Sequence, residues 1–202
     1  MKSRGALIAL VVVGVIVVFV LGIALWAIGV YNGIVGQDEG VQSAWGQVEN
    51  QYQRRAELIP NLVETVRGFA SQEKAVLLGV TEARAKVSQI TVTKEVLEDP
   101  QAFAKFQAAQ DQFSSAISRL LVVSENYPQL KSNENFLALQ NQLEGTENRI
   151  AVERRNYNLV VQAYNTSIRR FPGSLVAGFG GFKEKQYFKA REGADTAPQV
   201  KF

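Results

Sequence analysis

Apolar residues recur at alternating steps of three and four across residues 41–90, the spacing that places side chains on one face of an α-helix. Only Arg55 and Glu73 interrupt this first stripe. Its apolar members are Val41, Trp45, Val48, Tyr52, Ile59, Leu62, Val66, Phe69, Val76, Val80, Ala83, Val87 and Ile90. Pro60 lies inside the stripe, and a proline there removes a backbone hydrogen bond and clashes with the preceding turn. We therefore expect one long amphipathic helix with a kink or a break at Pro60.

Two further stripes follow the first. Asp99 and Pro100 predict the start of the second helix, as an N-cap residue followed by proline at the first helical position. The third helix is expected to begin at Ser132 or Asn133 and to end at residues 171–173, where proline and glycine follow Phe171. The apolar members of the two stripes are Phe103, Phe106, Phe113, Ile117 and Leu120, then Phe136, Leu139, Leu143, Ile150, Tyr157, Val160, Tyr164, Ile168 and Phe171. Three long stripes with short connections predict an all-α fold: an antiparallel up-and-down bundle of three long helices, or of four if the proline splits the first.

The chain begins with a different pattern, because no residue across positions 5–31 is charged. A transmembrane helix needs about 20 apolar residues, whereas the apolar part of a cleaved signal peptide has only about 7–15. The sequence therefore predicts a single N-terminal transmembrane helix that is retained as an anchor. We divide the chain into this anchor at residues 1–31, a helical bundle at 32–172 and a basic tail rich in glycine and aromatic residues at 173–202. The end of the tail, from Glu192, has the composition of a disordered segment.

The charges that flank the span predict its orientation. Lys2 and Arg4 precede it, whereas Asp38 and Glu39 follow it, and the next basic residue is Arg54. Lysine and arginine are retained on the cytoplasmic side of a membrane. We therefore expect a single-pass protein of the bacterial inner membrane, with its N-terminus in the cytoplasm and its bundle on the periplasmic or extracytoplasmic side.

Composition narrows the chemistry that the chain could perform. It has no cysteine and no histidine, which excludes disulfides and thiolate metal sites and removes the usual general base and the commonest transition-metal ligand. The net charge is only +3, and acidic and basic residues are balanced within the bundle, so no basic stripe marks a nucleic-acid site. We predict no catalytic residue, no cofactor, no metal site and no nucleic-acid partner.

Five glycines in and after the span share one helix face, because their spacings are seven, four, three and four residues. They are Gly22, Gly29, Gly33, Gly36 and Gly40. Glycine costs about 1 kcal/mol relative to alanine inside a helix, and small residues let neighbouring helices approach closely in lipid. This glycine face predicts self-association into a homo-oligomer. The alternatives are the general richness of membrane helices in glycine, or a flexible hinge at residues 33–40.

A polar cluster surrounds the proline of the first stripe. Its members are Arg54, Arg55, Glu57 and Asn61. Arg55 falls on the apolar stripe, where a charge needs a partner, and Glu147 or Glu153 of the third helix could supply it. Asn61 could satisfy backbone groups that Pro60 leaves unpaired. The cluster could bind a ligand, but we favour a structural role, because structural ion pairs perturb their surroundings in the same way as functional ones.

The tail after Gly173 changes character. Residues 174–182 are apolar and glycine-rich, too irregular for a helical stripe, and aromatic residues then alternate with lysines. The aromatic residues that could make contacts are Phe179, Phe182, Tyr187 and Phe188. They could lie in a lipid headgroup region, contact another subunit or fold back over the end of the bundle. A tail that leaves the third of three helices would lie far from the anchoring membrane, which favours another subunit or an opposed membrane.

Several separated motifs resemble the bacterial LemA family in their order. They are Tyr31-Asn32, Trp45, RRAELIPNLV at 54–63, Phe69-Ala70, YPQLKSN at 127–133, Tyr157-Asn158, Tyr164-Asn165, Phe171-Pro172 and Gly181-Phe182-Lys183. The resemblance covers residues 31–188. It implies a helical-bundle ectodomain on a single N-terminal anchor, and it implies no enzymatic activity. Some members of the family are linked to building membrane compartments, which favours membrane organisation.

Two functions are compatible with this sequence. The first is a non-catalytic structural or interaction protein that self-associates at the lipid bilayer and organises membrane or membrane proteins. The second is an accessory subunit that binds and positions a membrane-associated enzyme in a hetero-complex. An unconventional hydrolase is a third class, disfavoured because general acid–base catalysis usually recruits histidine.

Overall fold

A computed structural model describes residues 2–190 of the chain, with side chains from residue 10 onward. This part is helical and contains no strand, so the all-α prediction is confirmed. The predicted disorder from Glu192 lies outside the described residues. The α-helices are α1 (Lys2–Phe69), α2 (Lys74–Ser88), α3 (Lys94–Glu98), α4 (Pro100–Val123), α5 (Pro128–Lys131), α6 (Glu134–Arg169) and α7 (Gly173–Gly180), with a 3-10 turn at Ser124–Asn126 between α4 and α5.

Helix α1 joins the apolar span to the first bundle stripe without interruption. The predicted break at Pro60 is wrong, since the helix continues through that residue. Proline leaves the carbonyl four residues earlier, that of Ala56, without its usual helical donor. Arg84 of α2 supplies a replacement, because its Nε–H donates to the Ala56 carbonyl at 2.9 Å. The break in the first stripe falls later, at residues 70–73.

The predicted helix starts of α4 and α6 agree with the structure. The Asp99 carboxylate accepts hydrogen bonds from the backbone N–H groups of Gln101 at 2.7 Å and Ala102 at 2.9 Å. These two hydrogen bonds hold the pKa of Asp99 below its usual value, because they stabilise the charged form. The Asn133 side chain accepts from the Phe136 N–H at 3.0 Å, which makes it the N-terminal cap of α6.

The described residues divide into two compact units. The anchor unit comprises residues 2–41 and 162–184, and the core unit comprises residues 42–161 and 185–190. In the core unit, apolar side chains from α1, α2, α4 and α6 form a continuous core. Its fully buried members include Ile59, Leu62, Val66, Val80, Phe113, Leu120, Phe136 and Leu143.

A second part of the core unit is aromatic. The Trp45 ring contacts four other rings at centroid distances of 5.4–6.3 Å, those of Phe103, Phe106, Tyr157 and Phe188. Phe188 comes from the tail and is 7% exposed. The tail therefore completes this aromatic cluster.

In the anchor unit, α7 corrects the expectation of an irregular segment at residues 174–182. Gly173 and Ala177, one turn apart, are buried, and Leu175 and Phe179 are exposed, so the segment has the two faces of an amphipathic helix. Gly181 ends the helix with a left-handed backbone, φ 71°, which glycine adopts without strain.

The predicted remoteness of the tail from the anchor is also wrong. The Phe182 ring packs on the ring of Tyr31, at the end of the apolar span, with 5.4 Å between centroids. The four-residue break after Phe69 explains the difference, because it adds a helix to the chain and reverses the end at which the last one arrives.

Candidate interaction site

The apolar part of α1 carries the largest exposed apolar surface of the described chain. Its large side chains at positions 10–28 are each about half exposed or more, for example Phe19 at 68% and Leu25 at 70%. Among the described residues, α1 is the one helix long and apolar enough to cross a membrane. Water-soluble proteins rarely expose a contiguous apolar surface of this extent.

The glycine face of α1 is open along most of its length. A Cβ atom added at Gly22, Gly29, Gly33 or Gly36 would meet nothing within 4 Å. Gly40, the last member of the face, is half-buried. The small side of the helix is thus not used to pack against the rest of the described chain.

The opposite side of the same helix is the one that packs within the anchor unit. Ile34 is 1% exposed, Asp38 6% and Val41 0%. At 3.6 residues per turn, these positions lie about 130° around the helix from the glycines. The intramolecular packing and the glycine face therefore do not compete for the same surface.

The polar cluster of the sequence separates in the structure. Arg55 is buried at 1% exposure, whereas Arg54, Glu57 and Asn61 are exposed on the outer side of α1. Glu57 accepts a hydrogen bond from Gln53 at 3.0 Å, an ordinary contact along one helix. The Ala56 carbonyl that Pro60 frees is satisfied by Arg84 and not by Asn61.

Buried Arg55 is held by residues from two other helices. Its guanidinium pairs with the Glu147 carboxylate of α6 at 2.7 Å and donates to the Ser114 hydroxyl of α4 at 2.7 Å and to the Gln110 carbonyl oxygen. Of the two carboxylates expected as partners, the structure pairs Arg55 with Glu147. Ser114 and Gln110 were not predicted, because a serine and a glutamine within a helix carry no signal of this contact.

Aromatic rings complete the surroundings of Arg55. Its guanidinium carbon lies 5.3 Å from the ring centroid of Tyr52 and 4.9 Å from that of Phe113. Cations are attracted to ring faces, more strongly when both are removed from water. The arginine thus links α1, α4 and α6 through its charge and its planar shape.

A second arginine, Arg154 of α6, contacts the same region. It donates to the Tyr52 hydroxyl at 2.7 Å, lies 3.7 Å from Asp111 and stacks 4.9 Å from the Phe188 ring. Burial raises the pKa of Tyr52 despite the opposing effect of Arg154, and burial alone raises the pKa of Tyr157. Both phenols therefore stay protonated at neutral pH, which suits packing and not nucleophilic chemistry.

The C-terminal segment, residues 185–190, lies on the core unit and is fixed by polar contacts. The Asn158 side chain donates to the Phe188 carbonyl and accepts from its N–H, both at 2.9 Å. Gln107 makes the same pair of contacts with the backbone of Lys189, at 2.9 and 3.2 Å. Two side-chain amides thereby replace the backbone partners that a neighbouring strand would supply.

Lys185, expected as one of the cations of a basic tail, is instead part of the protein interior. It is 1% exposed, and its ammonium contacts the Glu98 carboxylate at 2.7 Å. The backbone N–H of Gln186 donates to the Leu97 carbonyl at 2.8 Å. These contacts fix the segment against α3 and place Phe188 in the aromatic cluster.

The four aromatic tail residues thus have different surroundings. Phe188 is buried in the core unit, and Phe182 is half-buried against Tyr31. Tyr187 is 39% exposed, and Phe179 on α7 is 95% exposed. Only Phe179 offers a large, fully accessible apolar side chain to another molecule.

Comparison with known proteins agrees with this architecture. The model of the LemA family matches residues 44–202. Magnetosome protein MamQ 2 of Paramagnetospirillum magneticum is 28% identical over 96% of this chain and 76% of its own length. MamQ of Magnetospirillum gryphiswaldense is 26% identical over 84% of this chain and 70% of its own, and protein LemA of Metamycoplasma hominis is 24% identical over 80% and 71%.

Proposed function

Because the chain belongs to the LemA family, we propose that it is a membrane-anchored, non-catalytic structural protein that self-associates and organises the membrane or membrane proteins around it. The observation that carries this proposal is the open glycine face on a helix that continues from the apolar span into the core unit. The same helix can then bind lipid, a second copy and the bundle.

Anchoring follows from the exposed apolar side chains of α1. Residues 10–28 would expose their side chains to lipid tails, and about 20 residues are enough to cross the hydrocarbon. Lys2 and Arg4 at the start of the chain support a cytoplasmic N-terminus, with the bundle on the extracytoplasmic side of a bacterial inner membrane. The core unit is then an up-and-down bundle, since the short connections between α1, α2, α4 and α6 favour antiparallel neighbours.

Self-association follows from the absence of side chains along the glycine face. Helices in lipid associate by close packing, and small residues on one face permit it. Each glycine also lowers helix stability by about 1 kcal/mol relative to alanine. A second copy that packs on this face would offset that cost.

A non-catalytic role follows from how the buried polar groups are used. Arg55 and Lys185 are paired with Glu147 and Glu98, and the groups with shifted pKa values that lie in the core are tyrosines held protonated by burial. These arrangements stabilise a helical bundle. The relatives named magnetosome proteins fit a role in assembling a cell structure.

The proposal is tested by the particle mass of the full-length protein in a mild detergent, measured by light scattering with the detergent contribution subtracted. We expect a homo-oligomer for the natural chain and a monomer for the variant Gly29→Leu/Gly33→Leu. The matched control is Ala24→Leu, a similar enlargement on the other side of α1, and it should keep the mass of the natural protein.

A natural chain that is monomeric would overturn the proposal. The accessory-subunit function would then be preferred, and it requires a defined hetero-complex with one membrane protein in pull-downs. An oligomer that both the glycine variant and the control leave intact would mean that another surface carries the assembly.

A further inference from the structure

Helix α7 carries an apolar surface that nothing in the described part of the chain covers. Phe171, just before the helix, is 76% exposed, Leu175 is 57% exposed and Phe179 is 95% exposed. Residues four apart lie on one face of a helix. Large apolar side chains exposed side by side mark a contact surface.

The end of α7 lies against the end of the apolar span, within the anchor unit. Phe182 packs on Tyr31 with 5.4 Å between ring centroids, and a Cβ at Gly180 would lie 3.2 Å from a ring carbon of Tyr31. Tyr31 is the last residue of the charge-free run. Because about 20 residues cross the hydrocarbon, Tyr31 comes at the boundary between lipid tails and headgroups when α1 spans a bilayer. Tyrosine is enriched at that boundary.

Cations flank α7 on both sides. Arg169 and Arg170 precede it and Lys183 follows it, and all three are exposed. Arg169 lies 3.6 Å from Glu184, but both side chains are more than half exposed, so this pair is weak. An apolar helix face bordered by lysine and arginine is the pattern of helices that lie in a membrane interface.

We propose that α7 is a second membrane contact, in which Phe171, Leu175 and Phe179 insert into the leaflet from which α1 emerges. This inference rests on the proposed anchoring through α1. Two points of contact with one leaflet fix the rotation of α1 about its own axis. The glycine face is then held in a defined direction in the plane of the membrane, where a second copy can reach it.

The chain contains no cysteine, so single cysteines can carry nitroxide labels in the full-length protein. We would label Phe179→Cys and Leu175→Cys in vesicles of phosphatidylcholine and phosphatidylglycerol. Phe19→Cys in the span is the lipid control, and Val122→Cys, 64% exposed on α4, is the water control. Power-saturation spectra compare the access of dissolved oxygen, which concentrates in lipid, with that of a water-soluble nickel chelate.

We expect oxygen to relax the labels at 179 and 175 more than the nickel chelate does, as at Phe19, and the reverse order at Val122. Labels at 179 and 175 that favour nickel while Phe19 favours oxygen would overturn the α7 contact and leave the anchor intact. A label at Phe19 that favours nickel would overturn the anchor itself.

A third result separates lipid from a second copy. If the labels on α7 are shielded from both reagents, and dilution with unlabelled protein restores their access, then another copy covers α7 and the lipid contact is overturned. The same labels therefore distinguish the two occupants without a change of sample.

Discussion

Removing Glu147 should destabilise the core unit more than removing its partner Arg55. The guanidinium is 1% exposed, whereas the Glu147 side chain is 36% exposed. In Glu147→Leu the arginine stays buried with only neutral acceptors, those of Ser114 and Gln110. In Arg55→Met the carboxylate can hydrate, and the new side chain keeps its contacts with the Tyr52 and Phe113 rings.

The structure gives the magnitudes. Breaking a fully buried ion pair costs about 3–5 kcal/mol, and the partial exposure of Glu147 reduces this to about 2–3 kcal/mol for Glu147→Leu. Arg55→Met should cost about 1–2 kcal/mol, from the hydrogen bonds lost at Ser114 and Gln110. The double variant should be within about 1 kcal/mol of the natural protein, because a buried pair replaced by apolar residues leaves no uncompensated charge.

The assay is urea unfolding of the full-length protein in a nonionic detergent, followed by the far-ultraviolet circular dichroism of its helices. The four proteins form a double-mutant cycle, and we expect a coupling free energy of about 2–3 kcal/mol between the two positions. The reasoning is refuted if Arg55→Met is the more damaging single change, or if the two effects simply add.

Three further predictions concern other contacts. Arg84→Met should lower the free energy of unfolding by about 1 kcal/mol, because it removes the donor to the Ala56 carbonyl. That loss should shrink in a Pro60→Ala background, where the helix supplies its own donor; an equal loss in both backgrounds would contradict the role of Arg84. The Asp99 carboxylate, whose pKa is lowered by the cap, should contribute stability above its unfolded pKa and lose that contribution as the pH falls through its folded pKa. Asp99→Asn keeps a capping side chain and should flatten this acid dependence of the urea midpoint, and an unchanged dependence would count against the cap. Phe188→Ala should cost about 3–5 kcal/mol as a large core truncation and expose residues 185–190 to protease, whereas the exposed neighbour Tyr187→Ala should do neither.

Local signals in the sequence were sufficient for the elements whose ends they specify. The pair Asp99-Pro100 combines a capping carboxylate with a residue that needs no donor, and both act within one turn. Asn133 caps α6 in the same way. The apolar stripes likewise identified most of the core, because burial repeats with the period of the helix.

The path of the chain was not predictable from the first stripe. Its phase continues across residues 70–73, so the apolar spacing gave no sign of the turn there. Pro60, which looked like the break, is accommodated by Arg84 of another helix. A contact between residues far apart in sequence decided the outcome, and propensity at a single position could not show it.

The tail was misjudged for the same reason. Lys185 and Phe188 were taken as members of an exposed basic and aromatic segment, yet Glu98 and the aromatic cluster bury them. The polar side chains of Asn158 and Gln107 hold the segment, and neither residue differs in type from a solvated one. The glycine face, in contrast, was visible in the sequence, because its signal is the spacing itself.

The central claim is that copies of the chain meet along the glycine face of α1 in the membrane. Disulfide crosslinking in native membranes tests it most directly, since the chain has no cysteine of its own. Single cysteines at Gly29, Gly33 and Gly36 should give crosslinked dimers upon oxidation, whereas cysteines at Ala24 and Ile28, on the other side of the helix, should not. Crosslinking that is equal on both sides of α1, or absent at all five positions, would contradict the claim.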